Sequence, residues 1–184
     1  MKILNVFENF NFEYLVAGVI FAILYMVWSV TIKPRMQKKE IKTLLSEVAS
    51  KNNYELLEAE KERYDYVFKA TSDQKYQKIL IKVVEVPKVS SITVNSKNTW
   101  NLQYGGSGAP GKSFLYQRYL NELIPFLKME SEEGVLKVVL VYKSTMKIQR
   151  YLNESDIAIL KYSDLVYDYK IITFTDFNSH FTDL

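Results

Sequence analysis

The chain has no cysteine and a single histidine among its 184 residues. Without thiols there can be no disulfide, no zinc–cysteine site and no cysteine nucleophile. The histidine, His180, lies in the polar segment NSHFTDL, residues 178–184, a terminal stretch expected to be poorly ordered. A histidine-based catalytic triad is therefore not expected. No internal repeat or low-complexity linker is present, and a chain of this length has room for one domain with an appendage.

Excess charge of one sign is missing from most of the chain, although the whole carries a formal +3. Residues 1–42 hold six basic and three acidic side chains, which leaves 18 of each for residues 43–184. The larger part is formally neutral and has no general electrostatic footprint for DNA or RNA. The fourteen tyrosines are accordingly expected to cover sheet edges rather than to stack bases.

What is present begins with YLVAGVIFAILYMVWSVTI, Tyr14 to Ile32, nineteen residues without a charge. As a helix rising about 1.5 Å per residue it crosses roughly 30 Å of hydrocarbon. No polar face breaks it, as one would in an amphipathic core helix. Glu8 and Glu13 ahead of it and the bulky basic KPRMQKK behind it are unlike a cleaved signal peptide. Lys33, Arg35, Lys38, Lys39 and Lys42 crowd its C-terminal side, so residues 1–13 are expected outside the cell membrane and the remainder in the cytoplasm. Anionic inner-leaflet headgroups are the expected partner of the basic segment 33–53, and a protein partner is expected for the domain beyond it.

After Pro34, where a kink is expected, Ile41, Leu44, Leu45 and Val48 recur at helical spacing, with Asn52-Asn53 as the stop. Strands follow at 54–59 and 64–71, then KYQKILIKVVEV, apolar enough to be buried on both faces. SITV and TWNLQY make a hairpin around NSKN. SFLYQRYLNELIPFLKM reads as an amphipathic helix with Leu115, Leu120, Leu123, Ile124 and Leu127 on one side, kinked or ended by Pro125. LKVVLVYKS is a further buried strand. A short strand at 156–160 and a helical turn from Ser163 complete the domain, taken as 54–176, ahead of a tail at 177–184.

GGSGAPGKS, residues 105–113, spells a phosphate-binding loop through Gly106, Gly111, Lys112 and Ser113. Such a loop needs a buried parallel strand before it and a helix opening directly after it. The helix is expected here, but NTWNLQY is polar at alternate positions like an edge strand. For a magnesium-holding acid at the end of an apolar strand, Asp176 in IITFTD is the only candidate. The stretch reads as a flexible connection, with nucleotide binding as an alternative.

Taken in order, helix, strand, strand, buried strand, hairpin, helix and strand over roughly residues 38–150 resemble the PD-(D/E)xK nucleases, and especially the nuclease-related domain NERD. Glu47 on the first helix, Asp65 in RYDYVFKA, Trp100 after the central strand and Gln117 in SFLYQ stand where that family has its helical Glu, its aspartate, its Trp and its N-P-x-x-Q glutamine. The resemblance implies an α/β (α+β) fold, with a restriction-endonuclease-like mixed-sheet cytosolic domain behind the membrane helix.

It also implies an altered site. Where the family has IEvK, this chain has Ile81-Lys82-Val83-Val84, so a lysine replaces the metal-binding acid and a valine the catalytic lysine. Positions 82 and 84 share one face of a strand, and Glu85 faces the other way. Losing both groups removes charge stabilisation and nucleophile generation together. The expected function is a non-catalytic binding or scaffold module without cofactor, with Lys82 free to form a salt bridge to Asp65. An active divergent nuclease using Glu47, Asp65 and perhaps Glu85 with a divalent metal is the alternative.

Overall fold

A computed structural model describes residues 12–59, 63–106, 113–153 and 156–184. The chain divides into two compact units, Met1–Thr43 and Leu44–Leu184.

In the first unit α1, Phe12–Val27, runs into a π-helical segment at Trp28–Ile32, and α2, Lys33–Lys51, continues from it into the second unit. Tyr14–Lys51 is the one helix among the described residues long and apolar enough to cross a membrane, and the side chains of its apolar window are exposed. Around Pro34, where a kink is expected, the helix is continuous and carries a π-helical turn. The Lys33 N–H reaches back five residues to the Trp28 carbonyl, widening the helix just before a residue that has no N–H and whose ring crowds the preceding turn.

The second unit begins with the last turns of α2, where Leu45, Val48 and Ala49 are buried. Asn53, with φ 59°, turns the chain out of the helix through the left-handed region. Two mixed sheets follow. β1 (Tyr54–Glu58), β2 (Tyr66–Ala70) and β3 (Lys78–Glu85) form an antiparallel meander, β7 (Val135–Tyr142) lies parallel to β3, and β11 (Tyr169–Thr173) lies parallel to β7 with β10 (Leu165–Val166) at its edge. The second sheet has the order β6 (Tyr116–Tyr119), β5 (Thr99–Tyr104), β4 (Ser90–Ser96), β8 (Lys147–Tyr151), β9 (Ile157–Ile159), with β4 and β8 parallel.

The two sheets pack face to face. Leu80, Val84, Val139, Val141, Tyr169 and Ile171 of the first share one apolar core with Ile92, Val94, Trp100, Leu102 and Ile148 of the second. The opposite face of the first sheet is covered by α4, Phe174–His180, and the 3-10 turn Phe181–Asp183: Phe68 on β2 meets Phe181 at 5.6 Å and Phe177 at 6.2 Å. Residues 177–184, expected as a loose polar tail, thus include three buried apolar anchors, Phe177, Phe181 and Leu184.

Two further expectations are corrected. The helix expected over 113–129 holds instead a strand, β6, followed by a 3-10 turn at Asn121–Leu123 and one turn of helix, α3, at Ile124–Leu127. Leu120, Leu123 and Leu127 are buried as the helical pattern required, but Ile124 is half-buried and Leu115 is exposed. The backbone of 116–119 instead pairs with the open edge of β5, and tertiary pairing overrides a short helical periodicity. The helical turn expected from Ser163 gives way to the β10–β11 hairpin, whose turn residue Tyr167 has φ 59°.

Because Phe177 is fully buried against Phe68 and Phe181, Phe177→Ala is expected to cost about 3–5 kcal/mol. Denaturant unfolding of the full chain measures this, and a cost below about 1 kcal/mol would mean that the C-terminal segment is not part of the core.

Candidate functional site

Lys82 lies on β3 between Leu80 and Val84, on the face turned toward the second sheet. Asp65 immediately precedes β2, and its N–H bonds the Ile81 carbonyl, which carries its carboxylate across to β3. Lys82 Nζ stands 3.1 Å from Asp65 Oδ1, and the Val83 N–H donates to Asp65 Oδ2 at 2.7 Å. The salt bridge envisaged from the sequence is therefore present. Both oxygens of the carboxylate are engaged, one by a cation and one by the backbone of the neighbouring strand. The lysine side chain is 15% exposed and the aspartate 37%, so the pair sits at the margin of the core, where neutralising a charge matters more than in open water.

The other residues singled out from the sequence do not converge on it. Glu47 is exposed on α2 and pairs with Lys51 one turn on, at 2.6 Å. Val84 is buried in the inter-sheet core and Glu85 is exposed at the end of β3. Among the described residues no group of three or more His, Asp or Glu side chains is placed to hold a metal ion. Trp100 is a packing residue: it is buried, stacks at a tilt on Tyr169 across the sheets at 5.4 Å, and donates its indole N–H to the Tyr169 hydroxyl at 3.3 Å. Gln117, expected at a helix start, instead lies exposed on edge strand β6 opposite Gln103, in a different sheet from β2, which Asp65 precedes.

The glycine-rich stretch joins two antiparallel strands, β5 and β6. Gly105 and Gly106 have φ of 81° and 86°, as a reversing turn needs. No helix opens after Ser113, so the dipole and free N–H groups that a phosphate loop takes from a helix N-terminus are not supplied there. Gly111 and Lys112 lie outside the described residues. Asp176 accepts the Thr173 hydroxyl at 2.6 Å near the start of α4.

A polar cluster that the sequence reading missed lies between the sheets. Lys137, in the middle of the apolar run of β7, is 2% exposed. Its Nζ meets Asp168 Oδ2 at 2.5 Å and donates to the Met129 carbonyl at 2.8 Å. Asp168 also accepts the Ser131 hydroxyl and faces Lys97 Nζ at 3.2 Å. The Tyr169 hydroxyl donates to the Lys97 carbonyl at 2.9 Å. Burial raises the Asp168 pKa, but hydrogen bonds from Lys137, Ser131 and Lys97 outweigh it and hold the carboxyl below its ordinary range. Burial pushes the Tyr169 phenol far above its usual value. The one sequence sign of this cluster was a lysine inside a strand otherwise too apolar to carry one, and its partner is 31 residues away.

Comparison with protein-family models, with curated proteins and with solved structures finds no match for this chain.

Two outcomes follow. Asp65→Ala leaves both the Lys82 ammonium and the Val83 N–H without their acceptor and is expected to cost about 1–3 kcal/mol. The cycle with Lys82→Met should reveal a coupling of about 0.5 kcal/mol or more, whereas simple additivity would deny that the pair interacts. For Asp168, a depressed folded-state pKa contributes stability above the unfolded value of about 3.9, lost as pH falls through the folded value. Denaturation midpoints measured from pH 6 to pH 2 should therefore fall more steeply for the native chain than for Asp168→Asn.

Proposed function

We propose that the chain is a single-pass membrane protein whose second unit is a nuclease-related, restriction-endonuclease-like domain that works by binding rather than by catalysis. On this reading the amino terminus lies outside, the basic segment at Lys33–Lys42 rests on anionic headgroups, and the domain faces the cytoplasm, where it presents a surface to a protein partner.

The observation that carries the reading is the engagement of Asp65. A carboxylate that would hold a divalent cation is neutralised at 3.1 Å by Lys82, the residue standing where a second acid would be needed. A metal entering there would meet an ammonium group instead of a ligand, and would have to displace it from a carboxylate whose other oxygen holds a backbone N–H at 2.7 Å. With Val84 in the place of a catalytic lysine, neither a Lewis acid nor a group to activate water remains. The order of helix, three-stranded meander and crossover to a strand parallel with the third is compatible with this ancestry. The formal neutrality of residues 43–184 favours a protein partner over nucleic acid.

The chain in lipid nanodiscs is expected to bind no manganese by calorimetry beyond empty discs and to cleave neither DNA nor RNA. Stoichiometric binding and cleavage that both disappear with Asp65→Ala would establish the divergent nuclease instead. The absence of cysteine makes orientation directly measurable. In intact cells a membrane-impermeant maleimide should label N5C and spare S179C, and the reverse pattern would place the domain outside.

A further inference from the structure

The two sheets leave an open cleft of about 330 Å3 bounded by the start of β8, by β9 and the residues after it, and by the end of β11 with the first turn of α4. No residue of the Lys82–Asp65 site lines it. Its floor is apolar, formed by Ile148, Ile171 and Ile172, all buried. At its mouth Met146 is 54% exposed and Ile159 71% exposed. These two side chains leave apolar surface in water beside an apolar floor, an arrangement that the arrival of another apolar group would relieve.

The polar groups of the cleft divide into two kinds. Thr145 and Thr173 spend their hydroxyl protons internally, on the Ser90 carbonyl at 2.7 Å and on Asp176 at 2.6 Å. Tyr162 is stacked on His180 with centroids 3.8 Å apart. Lys147 and Lys161 differ from these: both line the cleft, both are exposed, and among the described residues neither ammonium group has an ion-pair or hydrogen-bond partner. Among the described residues Asp176 is the single carboxylate of the lining and already accepts a hydroxyl, so the balance of charge they place around the apolar floor is positive.

We propose that this cleft binds an anionic amphiphile, its hydrocarbon or aryl part over Ile148, Ile171 and Ile159 and its carboxylate or phosphate at Lys147 and Lys161. The volume is at the small end of ligand sites, roughly 300–1,000 Å3, and suits one medium-length chain, either free or the inserted part of a lipid. The same chemistry is available from a free organic acid or from a lipid of the membrane surface, and the two sources are separable by experiment.

The probes are octanoate, octyl phosphate and octylammonium, titrated calorimetrically into the full chain in nanodiscs and into matched empty discs. Both anions are expected to bind, and octylammonium to bind about tenfold more weakly, the effect of two modest ion pairs. The double variant K147Q/K161Q should lose about tenfold for the anions, whereas K128Q, on an exposed lysine outside the cleft lining, should change nothing. I159D should remove binding while circular dichroism shows the fold retained. Discs containing phosphatidylglycerol will compete with octanoate if the occupant is a lipid and will not if it is a soluble acid. Equal affinity for octanoate and octylammonium, insensitivity to K147Q/K161Q, or no heat beyond empty discs would overturn the proposal. None of these results depends on the fate of the metal site, which concerns other residues.

Discussion

The structure of the second unit depends on sealing β7 from both sides. Seven of its eight residues, Leu136 to Tyr142, are buried, and a strand so placed cannot leave either face to water. One face needs the second sheet, which brings Ile92, Val94, Trp100, Leu102 and Ile148 against it. The other face of the same sheet needs the C-terminal segment, which brings Phe177 and Phe181 against Phe68. The long connections between the parallel strands supply the cover: β4–β6 and α3 are spelled between β3 and β7, and β8–β10 between β7 and β11.

Against this dry background the charges on the inner face of the first sheet stand out. Lys82 and Lys137 both point toward the second sheet from among apolar neighbours on their strands, and each is matched by an aspartate just before β2 or in the β10–β11 turn. A cation taken out of water needs such a partner and further hydrogen bonds to be tolerated at all. The two pairs differ in depth. Lys137 is sealed and ties four segments together through Asp168, a structural role. Lys82 is at the margin, part-buried, and neutralises a carboxylate whose other oxygen accepts the Val83 N–H. The cleft between β8, β9, β11 and α4 is of a third kind, with apolar surface and two exposed ammonium groups that have no ion-pair partner among the described residues.

Local composition and period were enough for much of this. Nineteen uncharged residues determined one helix able to span a membrane, since hydrocarbon length and helical rise are fixed quantities. Apolar runs determined β3 and β7, alternation determined the β4–β5 hairpin, and Asn52-Asn53 determined where α2 stops. The spacing that puts positions 82 and 84 on one face of a strand was equally legible, because alternation is local, and so was Lys82 as a partner for Asp65.

Tertiary structure decided the rest. Residues 116–119 had a helical period but became a strand, because the edge of β5 offered backbone partners that the sequence of 116–119 does not disclose. The polar C-terminal stretch became part of the core, because Phe177 and Phe181 are isolated in sequence and acquire their value only from Phe68, more than a hundred residues earlier. Asp168 and Lys137, and the lysines facing the cleft, are set by which strands lie side by side. Pattern within a segment determines what that segment can form, and the neighbours that segments find across the sheets determine which of its side chains end up paired, buried or open.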